Sequence, residues 1–287
     1  MSTRPQAVLI TGCTSGGIGF ELGKEYRSKG LRVFATARRA EVCEELTALG
    51  FEAIQLDVTK DESVHAARNQ VAEMTGGVLD ILVNNAGRSA AGIPAVDANM
   101  NTILDVFETN LFGVMRMVQA FVPLLITSGD GRIVNISSIA SVMPYPFNSA
   151  YNASKAAVNA YGSTLRVELA PFNIQVTTVI TGAVKSHIIE STPALAPTSI
   201  YAPIADHFAR YMAGISKVGG TPTEVYARSV VSQTFRRSLN SWFWTGKFSF
   251  LCWFIDTFLG RTGFDRPLSR EFGLTALKKV VEERKDA

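Results

Sequence analysis

The chain has 287 residues, 47% of them apolar and 18% charged, with a formal net charge of +3. That balance excludes a disordered chain and supplies enough apolar side chain for a large core. No dense Lys/Arg run is present, Arg38–Arg39 and Arg236–Arg237 being pairs and not tails, so nothing points to nucleic acid as a partner.

Cys13, Cys43 and Cys252 are scattered and odd in number, which suits a reducing compartment; the expectation is cytoplasmic. His65, His187 and His207 lie far apart and show no metal-ligand spacing, so no metal is expected. A strand begins almost at once after the N-terminus, leaving no room for a leader. No stretch reaches the roughly 18–20 apolar residues of a membrane span. The nearest, FSFLCWFI at 248–255, is too short.

In chain order, AVLIT (7–11) reads as a buried strand, followed by a helix from about Ile18 to Lys29. RVFATA (32–37) is the second strand, and a helix over 40–50 ends at Gly50. EAIQLDV (52–58) is the third strand, then a helix from Asp61 to about Thr75. LDILVNNAG (79–87) is the fourth strand, followed by helices over 96–107 and 110–127. GRIVNISS (131–138), a long helix over 149–171 and IQVTTVIT (174–181) complete the pattern. Continuous apolar strands alternating with helices predict an α/β fold, a doubly wound parallel sheet of the Rossmann kind, in a single domain.

The alternation stops after Thr181. Residues 183–221 contain Pro193, Pro197, Pro203 and Gly219–Gly220, with a short helix near 203–215. In such sheets ligands bind outside the carboxyl ends of the strands, so this segment is expected to be a substrate lid.

Three groups of residues suggest chemistry. The stretch LITGCTSGGIGFEL (9–22) places Gly12, Gly16, Gly17 and Gly19 between the first strand and first helix. Glycine permits a tight turn and close approach of backbone to phosphate, and the helix N-terminus offers free N–H groups. The second strand ends ATARRAE, without the acidic residue that would hold a ribose 2′-hydroxyl. Arg38 and Arg39 suit a 2′-phosphate instead, so NADP(H) is expected over NAD, with Arg38 the better placed ligand. Finally, YNASK puts Tyr151 and Lys155 at i and i+4 on one helix face, and Ser138 ends the preceding strand. An ammonium beside a phenol would lower its pKa and fit it for proton transfer to a carbonyl oxygen, which Ser138 could also bond.

These motifs resemble the short-chain dehydrogenase/reductase family over residues 5–190. TGCTSGGIG, LDVT, NNAG (84–87), TNLFG (109–113), NISS and YNASK appear in the family's order. The resemblance implies a catalytic set of Asn110, Ser138, Tyr151 and Lys155, with Asn110 holding a water in a proton relay to Lys155. It implies that Lys155 also binds the nicotinamide ribose, that Asp57 contacts adenine, and that Asn84 and Ala86 lie along the cofactor. Gly12, Thr14, Ser15, Gly17, Ile18 and Gly19 would form the phosphate loop. Gly182, Val184 and Ser186 would meet the nicotinamide amide, although the family's Pro-Gly is here Thr181–Gly182. The loop is also one residue longer than the usual TGxxxGxG, and the extra residue is expected to bulge near Cys13–Ser15.

Within the family, SIYAPIADHF (199–208) and the span 242–262 resemble fungal NADPH-dependent 1-acyldihydroxyacetone phosphate reductases and their secondary-metabolite cousins. This implies reduction of a ketone on a hydrophobic substrate. Oxidation of a hydrophobic alcohol, or cofactor sensing without catalysis, are the alternatives. Family members pair through the helices at 110–127 and 149–171, so a homodimer or tetramer is expected. Three readings of the aromatic C-terminal extension (240–287) stay open: a substrate wall, a patch on an endoplasmic reticulum or lipid-droplet surface, or a helix packed on the core or another subunit.

Overall fold

The computed structural model describes residues 4–186, 194–215 and 219–285. Seven parallel strands form one sheet: β1 (Ala7–Ile10), β2 (Arg32–Ala37), β3 (Glu52–Gln55), β4 (Ile81–Asn84), β5 (Gly131–Ile136), β6 (Ile174–Thr181) and β7 (Trp242–Thr245). Their order is β3-β2-β1-β4-β5-β6-β7, so the winding reverses between β1 and β4. Crossover loops on either side diverge there and leave a crevice at the carboxyl ends.

The pleat of β1 sends Ala7 and Leu9 to one face and Val8 and Ile10 to the other, and all four are buried. On the Leu9 face pack α3 (Asp61–Thr75), α5 (Gly113–Ser128) and α6 (Ser149–Glu168). On the Val8 face pack α1 (Ile18–Ser28), α2 (Ala40–Ala48) and α8 (Thr223–Thr234). The buried Tyr26 hydroxyl of α1 donates to Thr234 Oγ1 of α8 at 3.1 Å, so the polar end of this core residue is satisfied.

The helices predicted over 96–107 and 110–127 are α4 (Met100–Phe107) and α5, joined through a π-helical turn at Glu108–Phe112. The continuous run Met100–Ser128 is long and apolar enough to cross a membrane by length and composition, contrary to the sequence reading. Half of it is buried, with Val114, Val118, Phe121 and Leu125 facing the sheet. The buried half belongs to the core, while Met100, Leu104, Phe112 and Ile126 are exposed.

The larger departure lies beyond Thr181. The segment expected to be a lid contains α7 (Ala205–Ile215), preceded by a 3-10 turn at Ala202–Ile204. His187 and Pro193 lie outside the described residues. Residues 242–245 of the aromatic span are a seventh strand, with Trp242–Thr245 paired to Thr178–Thr181. After it come α9 (Ser249–Phe254), a π turn at Ile255–Leu259, α10 (Asp265–Glu271) and α11 (Leu274–Glu283). Ile204, Phe208 and Met212 meet Cys252, Phe264, Leu268 and Phe272 in a third apolar cluster, seated on Ile139, Phe147 and Ile180. The C-terminal extension thus roofs the carboxyl edge of β5 and β6. Of the three readings, core packing holds for Cys252, Phe264 and Phe272. Phe250, Leu251, Phe254, Phe258 and Leu259 are exposed.

Candidate active site

The glycine loop occupies the β1–α1 turn. Gly12 and Gly16 both have φ of +75°, a left-handed backbone that favours glycine. A β-carbon on Gly12 would stand 3.0 Å from Ala86 Cα. Gly17 N–H donates to the Thr14 carbonyl at 2.9 Å, closing a turn that exposes Thr14, Ser15 and Gly16. The extra residue is absorbed in this turn and not at Cys13. Cys13 is fully buried, its N–H bonded to the Thr36 carbonyl at 2.8 Å. Burial raises its thiol to about 12, so it is inert.

Gly17 caps α1 without a side-chain hydrogen bond, leaving the first-turn N–H groups beside Ile18 and Gly19 available. Asn85 fixes the loop from across the sheet. Its Nδ2 donates to the carbonyls of Thr11 and Gly12, at 2.8 and 3.0 Å. Thr11 Oγ1 accepts the N–H groups of Asn85 and Ala86, both at 2.9 Å. Sequence reasoning named Asn84 and Ala86 but passed over Asn85 and Thr11, although both belong to the motifs it used. Asn84 is buried at the end of β4, donating to Asn135 Oδ1 at 2.8 Å. Thr11, Asn84, Ala86 and Thr109 border a narrow gap beside them, closed on its inner side by Val58 and Met117. A larger recess of about 430 Å³ lies near Gln6, Asp80, Asp130 and Arg132. Its charges are already matched, Arg4 with Asp80 and Arg132 with Asp130, and it stands away from the motif residues.

The remaining cofactor positions follow the carboxyl ends of β2, β3 and β6. Arg38 and Arg39 are exposed just beyond β2, and neither makes an ion pair among the described residues. Asp57 Oδ1 accepts from the Thr59 N–H and hydroxyl, leaving its second oxygen free for a donor. Gly182 is pinned to the β7 end, its N–H on the Thr245 carbonyl at 2.8 Å. A β-carbon there would stand 2.1 Å from the Lys247 carbonyl oxygen. Thr221 pairs with Ala183 and Lys185, so the N–H and C=O of Val184 face the opposite side. Ser186 is half-buried two residues on. A backbone cradle without β-carbons, an uncapped helix start, a free carboxylate oxygen and a free amide together fit a dinucleotide.

The reactive residues gather where β5 ends. Ser138 has extended backbone and starts a 3-10 turn, its Oγ accepting from Ala140 N–H at 3.1 Å. The Ser138 hydroxyl lies close enough to the Tyr151 phenol to oppose the rise in its pKa. Lys155 lies one turn along α6, buried, with Nζ donating to the Ile136 carbonyl at 2.8 Å and 5.7 Å from the Tyr151 ring centroid. Lysine was expected to lower the tyrosine pKa. Instead burial raises the Tyr151 phenol to about 12, opposed by the Ser138 hydroxyl, and burial lowers Lys155 to about 8. Desolvation disfavours both charged forms here, and the ammonium is directed at a carbonyl.

Asn110 sits in the π turn and is fully buried. Its Oδ1 accepts Arg88 N–H at 2.8 Å, and its Nδ2 donates to the Arg88 carbonyl and to Ser154 Oγ, both at 2.9 Å. The side chain clasps the loop after β4 to α6. Gly87 lies between Asn110 and Lys155: a β-carbon there would be 3.5 Å from Asn110 Oδ1 and 3.6 Å from Lys155 Nζ. Gly87 and Ser154 were not singled out from the sequence, though NNAG and YNASK contain them.

Beside this group packs an apolar and aromatic cluster. Phe147, at a left-handed φ of 60°, stacks edge-on against Tyr201 and Phe208, each at 5.2 Å. Tyr145 and Tyr211 share a 2.7 Å hydroxyl hydrogen bond and both contact Phe272. Ser199 donates to Asp97, tying the lid segment to the loop after β4.

Comparison with known proteins agrees with this geometry. Residues 6–194 match the short chain dehydrogenase family. A short-chain dehydrogenase of Neurospora crassa, srdE, is 42% identical over 274 residues, covering 95% of this chain and 93% of the relative. The NADPH-dependent 1-acyldihydroxyacetone phosphate reductase of Schizosaccharomyces pombe is 44% identical over 203 residues, covering 68% of each chain. A crystal structure of a Streptomyces avermitilis short-chain dehydrogenase superposes with a TM-score of 0.76 at 28% identity, covering 98% of this chain and 99% of that one. The chain is therefore an oxidoreductase that belongs to the short-chain dehydrogenase family.

Proposed function

We propose that the protein reduces a ketone on a hydrophobic substrate, using NADPH. The observation that carries this reading is the gathering of Ser138, Tyr151 and the buried Lys155 where β5 ends, with Lys155 Nζ 5.7 Å from the Tyr151 ring centroid. A phenol held near 12 keeps its proton at neutral pH, which is the form an acid needs. NADPH, when bound, supplies the hydride. Tyr151 gives its proton to the substrate oxygen, and Ser138 donates a hydrogen bond to that oxygen. Lys155 stabilises the resulting phenolate until solvent restores the proton. Gly12, Gly17 and Gly19 would hold the pyrophosphate at the start of α1, and Asp57 would receive the adenine amine. Val184 and Ser186 would hold the carboxamide. Arg38 and Arg39 would hold the 2′-phosphate.

The partly buried Met143, Tyr145 and Tyr201 at the edge of the apolar cluster support an apolar substrate. The Schizosaccharomyces pombe relative, named for NADPH and an acylated phosphate ester, supports the same reading. The experiment is to follow NADPH consumption with a panel of ketones of graded hydrophobicity. Turnover that rises with apolar chain length supports the reading. Tight NADPH binding without oxidation of any ketone overturns it in favour of a sensor.

The exposed face of α9 and the π turn after it favours contact with a lipid surface. Phe250, Leu251, Phe254, Phe258 and Leu259 are all more than 40% exposed within ten residues. Co-sedimentation with phospholipid vesicles tests it. Binding should be lost in Phe250→Ser/Phe254→Ser, and retention by that variant would refute the contact.

A further inference from the structure

We infer that Ser141 and Asn159 are positioning residues that hold Ser138 in place against Tyr151. This rests on the reading of Ser138 as the group that steadies the substrate oxygen.

Asn159 stands on α6 one turn past Lys155 and two past Tyr151, so the three share a helix face. It is 5% exposed, and its amide is used at both ends. Oδ1 accepts the Ser137 hydroxyl at 2.6 Å, and Nδ2 donates to Ser141 Oγ at 2.8 Å. Ser137 Oγ also lies 3.3 Å from the Lys155 carbonyl. The Ser141 hydroxyl then donates to the Ser138 carbonyl, which receives the Ser141 N–H at 3.0 Å as well. One amide on the Tyr151 helix thus grips the residue before Ser138 and, through Ser141, Ser138 itself.

The sheet does not do this. The final ladder bond at this end of β5 is Ser137 N–H to the Val179 carbonyl, at 2.9 Å. Ser138 comes after it, on the turn that leaves the sheet. Ser137, Ser141 and Asn159 are each 5% exposed or less. Apolar side chains of similar size would fill that space without the cost of desolvating polar groups. Hydrogen bonds are directional and apolar packing is not, so a buried polar network fixes backbone orientation where packing only fills volume. The group so fixed is the hydroxyl that must sit within bonding distance of Tyr151 and the substrate oxygen.

The test uses the intact protein with NADPH and whichever ketone the panel identifies. Ser141→Ala should lower kcat by roughly 10- to 100-fold, the scale of loss from a misplacement of about 1 Å. The Kd for NADPH should stay within about twofold, well inside one decade of affinity. Ser141→Thr, which keeps the hydroxyl, should recover most of the rate. Because Ser141 acts through Ser138, Ser138→Ala/Ser141→Ala should be no slower than Ser138→Ala alone. A Ser141→Ala enzyme with unchanged kcat, or rate losses that add in the double variant, overturns the inference while leaving the reductase reading intact. A wild-type enzyme that turns over no ketone overturns both.

Discussion

A β-carbon on Gly19 would stand 2.5 Å from the carbonyl oxygen of Gly12, closer than real β-carbons come to backbone. The same atom would lie 2.6 Å from Asn85 Nδ2, the group that ties the loop to β4. Helix α1 therefore enters its first turn pressed against the end of β1. Gly19→Ala should displace this contact. The expected cost is about 1–3 kcal/mol of stability, as for other overpacked sites, and a weaker grip on NADPH. Urea unfolding and NADPH fluorescence titration measure the two effects, and native affinity in the variant would dissociate the contact from cofactor binding.

Tyr151→Phe removes one oxygen from a half-buried ring and leaves the glycine loop untouched. NADPH should bind as before. Turnover should fall by roughly 10²–10⁴-fold, the range for losing a positioned proton donor. Single-turnover kinetics with saturating NADPH separate the lost chemical step from any loss of binding. Undiminished reduction would place the acid elsewhere.

The two buried titrations set a pH signature. Burial lowers Lys155 to about 8 and raises Tyr151 to about 12, so above pH 8 the amine loses its charge while the phenol keeps its proton. For reduction, kcat/KM should hold up to near pH 8 and fall above it. Stability moves the other way for this group. The folded pKa lies below the ordinary 10.5, so between about 8 and 10.5 the unfolded chain binds more protons and Lys155 contributes stability as pH rises. Unfolding free energies at pH 7 and pH 10 should show the wild type gaining on Lys155→Met across that interval. A constant difference would mean that the amine titrates outside it.

Arg38 is exposed and has no ion-pair partner among the described residues, so its removal leaves the fold alone. Arg38→Ala should weaken NADPH by roughly 10- to 100-fold, the scale of one lost charged hydrogen bond, and leave NADH nearly unchanged. Isothermal titration with both dinucleotides checks this. Equal losses for the two would assign Arg38 a role other than reading the 2′-phosphate.

Much of the site is legible because it is local. Tyr151 and Lys155 share a face by helical period alone, and the glycines of 12–19 lie between a clear strand and a clear helix. Asn85 shows the limit: it stands inside a motif, yet its bonds to Thr11 and Gly12 cross more than 70 residues of chain. The tyrosine pKa was misjudged for a similar reason. Helical spacing brings Lys155 near Tyr151, but the direction of the ammonium depends on the Ile136 carbonyl of a different element. The seventh strand was hidden because Trp242, Phe243 and Trp244 suit a buried helix as well as a strand. Their pairing with β6 decides the matter.

By itself the sequence determined the order of β1 through β6, the single doubly wound domain, and which residue types meet at the carboxyl edge. These follow from periodicities of two and 3.6 and from motifs a few residues long. Only the tertiary structure decided that β7 extends the sheet, that α9–α11 and α7 roof the substrate side, and that Ser138 is gripped through Ser141 and Asn159. Those features depend on contacts between segments distant in the chain. Burial and direction there are set by the packed neighbours, and no local pattern encodes them.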